Sequence, residues 1–511
     1  MSRLYYGALV SPISLTEYAA LPHALLAVSH ATGEIEWVEE DVAAGVLQDV
    51  LAKHGYVDDV DLVELKVGEF LIPGFIDTHT HAPQVPNLGS GQQHELLDWL
   101  AQVTFPMECR FSDVDFARRT YNSVVKRIID YGTTTCCYFG SLHLESTKIL
   151  AEIVHAHGQR ALVGKCNMDY NCPDYYIEPS PEASIAATEE LIAHIRALPS
   201  LGTSAHPHSG ETLVHPVLTP RFALSCTRAL LSSLGALAAA DRSLAIQTHV
   251  SENESEVVLT KSLFPPETLP SPPMPATVSA AGTYTGVYDA FGLLRDNTIL
   301  AHAVHLEPME VALIKARNAG ISHCPTSNLN LRSGCAKVGM LLDEGIKVGL
   351  GTDVSGGFSP SILTAIQHAS MCSKVVALQS PLPEVDHHRF AGRQLSVPTL
   401  LHLATLGGAQ VCNLATRVGS LVPGKAFDAL VVSIRSDAGN PAVWGADLDM
   451  ELGVRGSGGE HGDEGGRGKT EKEELEGMLE RFLFCGDDRN IRRVYVQGRL
   501  IGGKEFSGAR P

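Results

Sequence analysis

From Phe70 onward, short apolar runs that end in polar or titratable residues alternate with longer stretches whose apolar positions recur at helical spacing. The runs are "LIPGFIDTHTH" (71–81), "GTTTCCYFG" (132–140), "ALVGKCNMD" (161–169), "HPVLTPRF" (215–222), "LAIQTHVSEN" (244–253), "TILAHAVHL" (298–306), "GISHCPTSN" (320–328) and "KVGLGTDVSG" (347–356). Each has the length of a strand. Between them, segments such as "DVDFARRTYNSVVKRIIDYG" and "MEVALIKARNAG" are amphipathic and close on a C-cap glycine. Eight strand–helix units over roughly 300 residues predict an α/β fold of the (β/α)8 type. A doubly wound open sheet would want a glycine-rich phosphate turn after its first strand, and here Pro73-Gly74 precedes the strand end instead.

Outside this region the texture changes. Residues 1–73 read as short strands and turns, and "GSLVPGKAFDALVVS" (419–433) and "NIRRVYVQGRLIGG" (490–503) return to strand character. The expected organisation is a barrel over 74–415 and a small β-sandwich domain assembled from residues 1–73 and 416–511. Three segments read as surface loops without catalytic role: 198–212, 265–275 and the glycine- and glutamate-rich 454–477.

At 511 residues the chain exceeds one ordinary core. Its formal charge of −19 argues against nucleic acid or an anionic membrane as partner. The start, "MSRLYYGALVSPIS", lacks the basic-then-apolar layout of a signal peptide, and no run approaches membrane-spanning length. The eleven cysteines show no C-x-x-C spacing, which fits reduced thiols in the cytosol.

The chemistry-bearing residues are histidines. Three H-x-H pairs occur: His79 and His81, His155 and His157, His206 and His208. On a strand, residues i and i+2 share a face, so His79 and His81 can converge on one ion at the C-terminal end of the first barrel strand. The second pair closes a helical stretch, where i and i+2 diverge. The third sits in a loop insertion that would not hold ligands in place. Later strand ends add His249, His302 and Asp353, and Glu252 places a carboxylate three residues past His249. Metal-ligating nitrogen and oxygen at several barrel strand ends point to a zinc-type catalytic centre.

The series "PGFIDTHTHAPQ", "TPRF", "THVSEN", "LAHAVH", "GLGTDVSGG" and "VPGKAFDALVV" resembles the amidohydrolase superfamily and, more closely, its guanine deaminases of the eukaryotic type. "LLDWLAQVTFPMEC" (96–109), "GKCNMDYNCPDYY" (164–176) and "FLFCGDDRNIRRVYV" (482–496) are similar to that family as well. The resemblance implies one zinc ion on His79, His81, His249 and Asp353, with His302 beside the water that the metal activates. It implies Gln84, Arg221 and Phe222 as further substrate contacts, Glu252 as the catalytic carboxylate, and a cytosolic homodimer. The implied reaction is hydrolysis of guanine to xanthine and ammonia: Asp353 and His302 take the proton of the attacking water, and Glu252 delivers one to the ring N3 and then to the departing amine.

Two other readings stay open at this stage. Within deaminases, 8-oxoguanine, a pterin or a triazine could be the substrate. Alternatively Lys165, at the end of the third predicted strand, could be carboxylated and bridge two metals in a cyclic amidohydrolase.

Overall fold

The computed structural model describes residues 2–56, 60–200, 212–273, 278, 280–379, 389–447 and 469–508. The pair His206 and His208 lies outside them, as do most of the 198–212 and 454–477 insertions.

All eight predicted barrel strands are present. We number them β1 (Phe75–His81), β2 (Thr133–Phe139), β3 (Arg160–Gly164), β4 (Val214–Pro220), β5 (Ala245–Val250), β6 (Thr298–His302), β7 (Gly320–His323) and β8 (Lys347–Leu350). They pair in parallel in chain order from β1 to β8, and a two-residue strand, Cys166–Asn167, prolongs β3 against β4. Every residue of β1, β2 and β3 is buried, as expected of strands with side chains on one face and helices on the other.

The seam between β1 and β8 is closed by side chains and by backbone beyond the strand ends. The Asp77 carboxylate accepts from the backbone of His79 and Thr352, each at 3.1 Å, and from the Thr352 hydroxyl at 2.6 Å. The Asp353 N–H then donates to the His79 carbonyl at 2.9 Å. One buried acid thereby ties the first histidine strand to the loop that carries Asp353.

The helices have readable causes. In Val114–Asp130 the N-cap Asp113 accepts from the backbone N–H groups of Asp115 and Phe116, and Ala117, Tyr121, Val124, Val125, Ile128 and Ile129 form its buried stripe. Leu144–His157, which carries the second H-x-H pair, stops at Gly158 in the left-handed region, φ 73°. His157 there meets the Asn122 side chain at 2.8 Å and takes no part in the site described below.

The small domain is one eight-stranded sheet with strands from both ends of the chain. Its order is Arg499–Gly502, Ile491–Val496, Ala429–Ser433, Glu69–Pro73, Ser2–Pro12, Tyr18–Ser29, Ile35–Glu39, with Leu62–Glu64 also beside Ser2–Pro12. The sheet curls until Ile35 N–H donates to the Lys425 carbonyl and Phe427 N–H to the Gly33 carbonyl, both at 2.8 Å. Its inner faces enclose a core containing Tyr5, Leu26, Leu71, Phe427, Val431 and Tyr495.

The chain crosses between the two units at Gly74, where a Cβ would lie 2.1 Å from the Thr134 hydroxyl, so only glycine fits. Below β3, Arg160 is wholly buried and donates to Asp428 at 3.0 Å and to the Gln497 side chain at 2.9 Å, joining barrel to small sheet.

One expectation is corrected. Residues 471–477, read from composition as the end of a surface insertion, are the first turns of a helix, Glu471–Cys485. Thr470 and Glu473 form a capping box, and Leu475, Leu479, Phe482 and Leu483 make a buried stripe at helical spacing. Among the described residues, no helix is long and apolar enough to cross a membrane.

Candidate active site

Four strand ends deliver titratable side chains to one place. His79 and His81 come from β1, His249 from β5, His302 from β6 and Asp353 from the loop after β8; all five are buried. His79 Nε2 lies 3.0 Å and His81 Nε2 3.3 Å from Asp353 Oδ1. His81 Nε2 and His249 Nε2 face each other at 3.1 Å. His302 Nε2 lies 3.3 Å from Glu252 Oε2 and 3.7 Å from Asp353 Oδ2. Ligand atoms of His79, His249, His302 and Asp353 all fall within 4.8 Å of one another, and His81 joins them through Asp353 and His249.

The backbone is bent to achieve this. Ser251, His302, Ala303 and Asp353 have φ of 49°, 76°, 53° and 43°, in the left-handed region that non-glycine residues avoid. Strain at four positions around one cluster is the pattern of a functional site.

The electrostatics suit a cation. Burial, reinforced by the neighbouring imidazoles, holds His249 well below the ordinary histidine value; burial also lowers His79, and takes His81 down to about 4. Neutral imidazoles offer lone pairs. His249 Nδ1 donates to the Arg221 carbonyl at 2.5 Å, so its Nε2 is the lone-pair nitrogen turned to the cluster. Burial alone would raise Asp353, but the nearby His302 and His79 outweigh it and hold the group well below the ordinary carboxylate range. Among the described residues the Nε2 atoms of His79 and His302 find no hydrogen-bond partner, although both are buried. A ring of nitrogen donors with unmet lone pairs around one carboxylate is the donor set of a divalent metal, and the residues present fit it.

Glu252 stands at the edge of this ring. Its Oε1 accepts from the Ser333 hydroxyl at 3.3 Å, and its backbone N–H donates to Glu256 at 2.8 Å. Glu256 also caps the following helix, so one carboxylate fixes both the helix start and the loop that aims Glu252. Burial, then the negative charges of Asp353 and Glu256, push the Glu252 carboxyl well above its ordinary value, which favours its protonated form.

The residues expected to touch substrate lie alongside. Gln84 sits in the turn Ala82–Asn87 after β1, and Arg221 and Phe222 follow β4. The Phe222 ring is 5.6 Å from that of His249. Arg221 is not a free fork, however. Both of its Nη atoms donate to Glu108, at 2.7 and 3.1 Å, and Gln84 Nε2 donates to the same carboxylate at 2.7 Å. Glu108 was missed by sequence reasoning; its only signal is a lone acid in the apolar stretch "LAQVTFPMEC", where burial would demand a cationic partner. Asn328, whose Oδ1 meets His302 Nδ1 at 2.8 Å, was missed as well.

Lys165 follows β3 directly and is engaged elsewhere. Its ammonium is paired with Glu178 and donates to the Cys166 carbonyl at 2.8 Å, which leaves it committed rather than free to be carboxylated.

The chain matches the model of the amidohydrolase family over residues 70–501. It is 41% identical to a probable guanine deaminase of Schizosaccharomyces pombe over 474 residues, 93% of this chain and 79% of that protein. It is 35% identical to the guanine deaminase of Homo sapiens over 503 residues, 98% of this chain and 97% of that one. Among solved structures it resembles the guanine deaminase of C. acetobutylicum with guanine bound in its active site, at a TM-score of 0.78 and 32% identity, covering 98% of this chain and 100% of that one.

Proposed function

We propose that this chain, which belongs to the amidohydrolase family, hydrolyses guanine to xanthine and ammonia. It is a hydrolase of C–N bonds other than peptide bonds, acting on a cyclic amidine. The observation that carries the reading is the placement of the Glu252 carboxyl, in surroundings that favour its protonated form, at the rim of a buried three-nitrogen, one-carboxylate donor set. A hydrolase working through a bridging nucleophile between two metals has no use for that acid, and here the lysine it would need is already paired.

In this reading one zinc ion is held by His79, His81, His249 and Asp353, with His302 beside it. When bound, zinc would lower the pKa of a coordinated water to about 7 and so supply the nucleophile at neutral pH. Everything else is done by the chain. Asp353 and His302, whose Oδ2 and Nε2 lie 3.7 Å apart, are placed to take the proton that the nucleophile sheds. The Glu252 carboxyl gives its proton to N3 of the purine while oxygen adds at C2. Recharged with the proton taken from the water, by way of His302 at 3.3 Å, it protonates the 2-amino group, which leaves as ammonia while the new C2 hydroxyl returns its proton to Glu252 and becomes the carbonyl. Gln84 and Arg221 hold the far edge of the ring and Phe222 packs on it. The resemblance also supports a homodimer in the cytosol.

The test is an ammonia-release assay across guanine, 8-oxoguanine, pterins and triazines, together with metal analysis of the purified protein. Guanine should be the preferred substrate and zinc should stand at one per chain, with chelation abolishing turnover and added zinc restoring it. Two metals per chain, or no release from guanine, would refute the assignment.

Arg221→Ala should raise KM for guanine about 10- to 100-fold, the equivalent of the ~1.5–3 kcal/mol of a hydrogen bond to a charged group. Metal content should not change. An unaltered KM would remove Arg221 from the substrate contacts.

A further inference from the structure

Glu108, on the short segment Phe105–Cys109, is wholly buried, and both of its oxygens are used twice. Oε2 accepts from Arg221 Nη1 at 2.7 Å and from the Tyr176 hydroxyl at 2.8 Å. Oε1 accepts from Arg221 Nη2 at 3.1 Å and from Gln84 Nε2 at 2.7 Å. This arrangement has two geometric consequences. Because the carboxylate takes the guanidinium end-on through both Nη atoms, the edge of Arg221 left over is the one formed by Nε–H and the Nη–H beside it. Among the described residues that Nε–H has no partner, although the side chain is almost fully buried. Because an ionised carboxylate only accepts, Gln84 must present its amide nitrogen to it, which turns Oε1 to the Ser355 N–H at 3.0 Å. Both amide ends are thereby fixed, with one N–H and one lone pair left over.

We infer that Glu108 is a positioning residue that selects which edges of Arg221 and Gln84 meet the substrate, and so sets the preference for purines with a 6-oxo group over those with a 6-amino group. The inference rests on the deaminase reading above. A pair of parallel N–H donors, one of them a buried donor without an acceptor, is completed by a carbonyl oxygen and opposed by an amino group. The charge balance agrees. Burial pushes the Glu108 carboxyl up, but the Arg221 charge and the hydrogen bonds from Arg221 and Tyr176 outweigh it and keep the group ionised. Without that anion, Arg221 would be a buried cation free to swing its fork, and Gln84 could flip its amide.

The experiment compares kcat/KM for guanine and for 2,6-diaminopurine, each followed by ammonia release at C2, in zinc-loaded wild type, Glu108→Gln and Glu108→Asp. The aspartate variant keeps the charge opposite Arg221 and so preserves folding, while withdrawing both oxygens by one methylene. The guanine preference is expected to fall about 10- to 100-fold in each folded variant. The loss should appear mainly as a higher KM for guanine, with zinc content and circular dichroism unchanged. A structural role alone would lower both substrates together. An active wild type and a folded Glu108 variant with an unchanged substrate ratio would overturn this inference alone. A wild type that leaves guanine untouched would overturn the deaminase reading and this inference with it.

Discussion

Glu252→Gln should lower kcat for guanine by at least about 10²–10⁴, the range for one positioned acid–base group, and leave zinc content unchanged. The amide has the shape of the carboxyl and can still accept from Ser333, so the loop should hold its place. It cannot release a proton to the ring nitrogen and then deliver one to the departing amine. Because the group works in the transition state and not in the ground state, KM should move little. The structure adds a reason for the carboxyl to be protonated when substrate arrives. It is buried between Asp353 and Glu256, and a further negative charge there is disfavoured. Glu256 earns its place twice, since it also holds the Glu252 backbone at 2.8 Å. Pre-steady-state measurement of ammonia release would isolate the chemical step. Wild-type turnover in a zinc-loaded Glu252→Gln protein would exclude Glu252 as the proton carrier.

What could be read in the chain, and what could not, follows from how far apart partners lie in sequence. Barrel strands are local: each is a short apolar run, and each catalytic candidate sits at the end of its own run. His79, His81, His249, His302 and Asp353 were therefore visible one strand at a time, and a barrel places all such ends on one face. Glu108 has no such local pattern. Its partners Arg221 and Tyr176 lie 113 and 68 residues away, and its role exists only where those segments meet. The engagement of Arg221 is hidden for the same reason, because nothing near "TPRF" announces that both Nη atoms are taken. At Glu471–Leu475 the failure was of another kind. The glycine and charge content of the preceding stretch was averaged over a capping box and the first residue of an apolar stripe, and composition hid both. The family motifs carried position without mechanism. "VPGKAFDALVV" marked Asp428 as part of the resemblance but gave no hint of its partner.

That partner makes Asp428→Asn the counterpart of the Glu252 experiment, with stability affected and chemistry spared. Arg160 opens β3 at the barrel face opposite the metal ligands, and its side chain is 0% exposed. Asp428 meets it with both oxygens, at 3.0 and 3.4 Å, and accepts the Gln497 backbone N–H at 2.8 Å. Gln497 turns its own amide oxygen to the same guanidinium at 2.9 Å. With asparagine at 428 the buried Arg160 charge loses the carboxylate that meets it with both oxygens, a loss of about 3–5 kcal/mol when one partner of a buried pair is removed. Arginine cannot escape by deprotonating, so the cost falls on the folded state. Since Asp428 precedes the strand Ala429–Ser433, which pairs with Glu69–Pro73, the weakened point is the joint between barrel and small sheet. Thermal unfolding followed by circular dichroism should start well below the wild-type temperature. Assayed below that onset, each folded molecule should retain wild-type kcat, KM for guanine and zinc content. An unchanged unfolding temperature would mean that water reaches and screens Arg160. A fall in kcat at full zinc occupancy would mean that the joint is coupled to the ligand strands through β3.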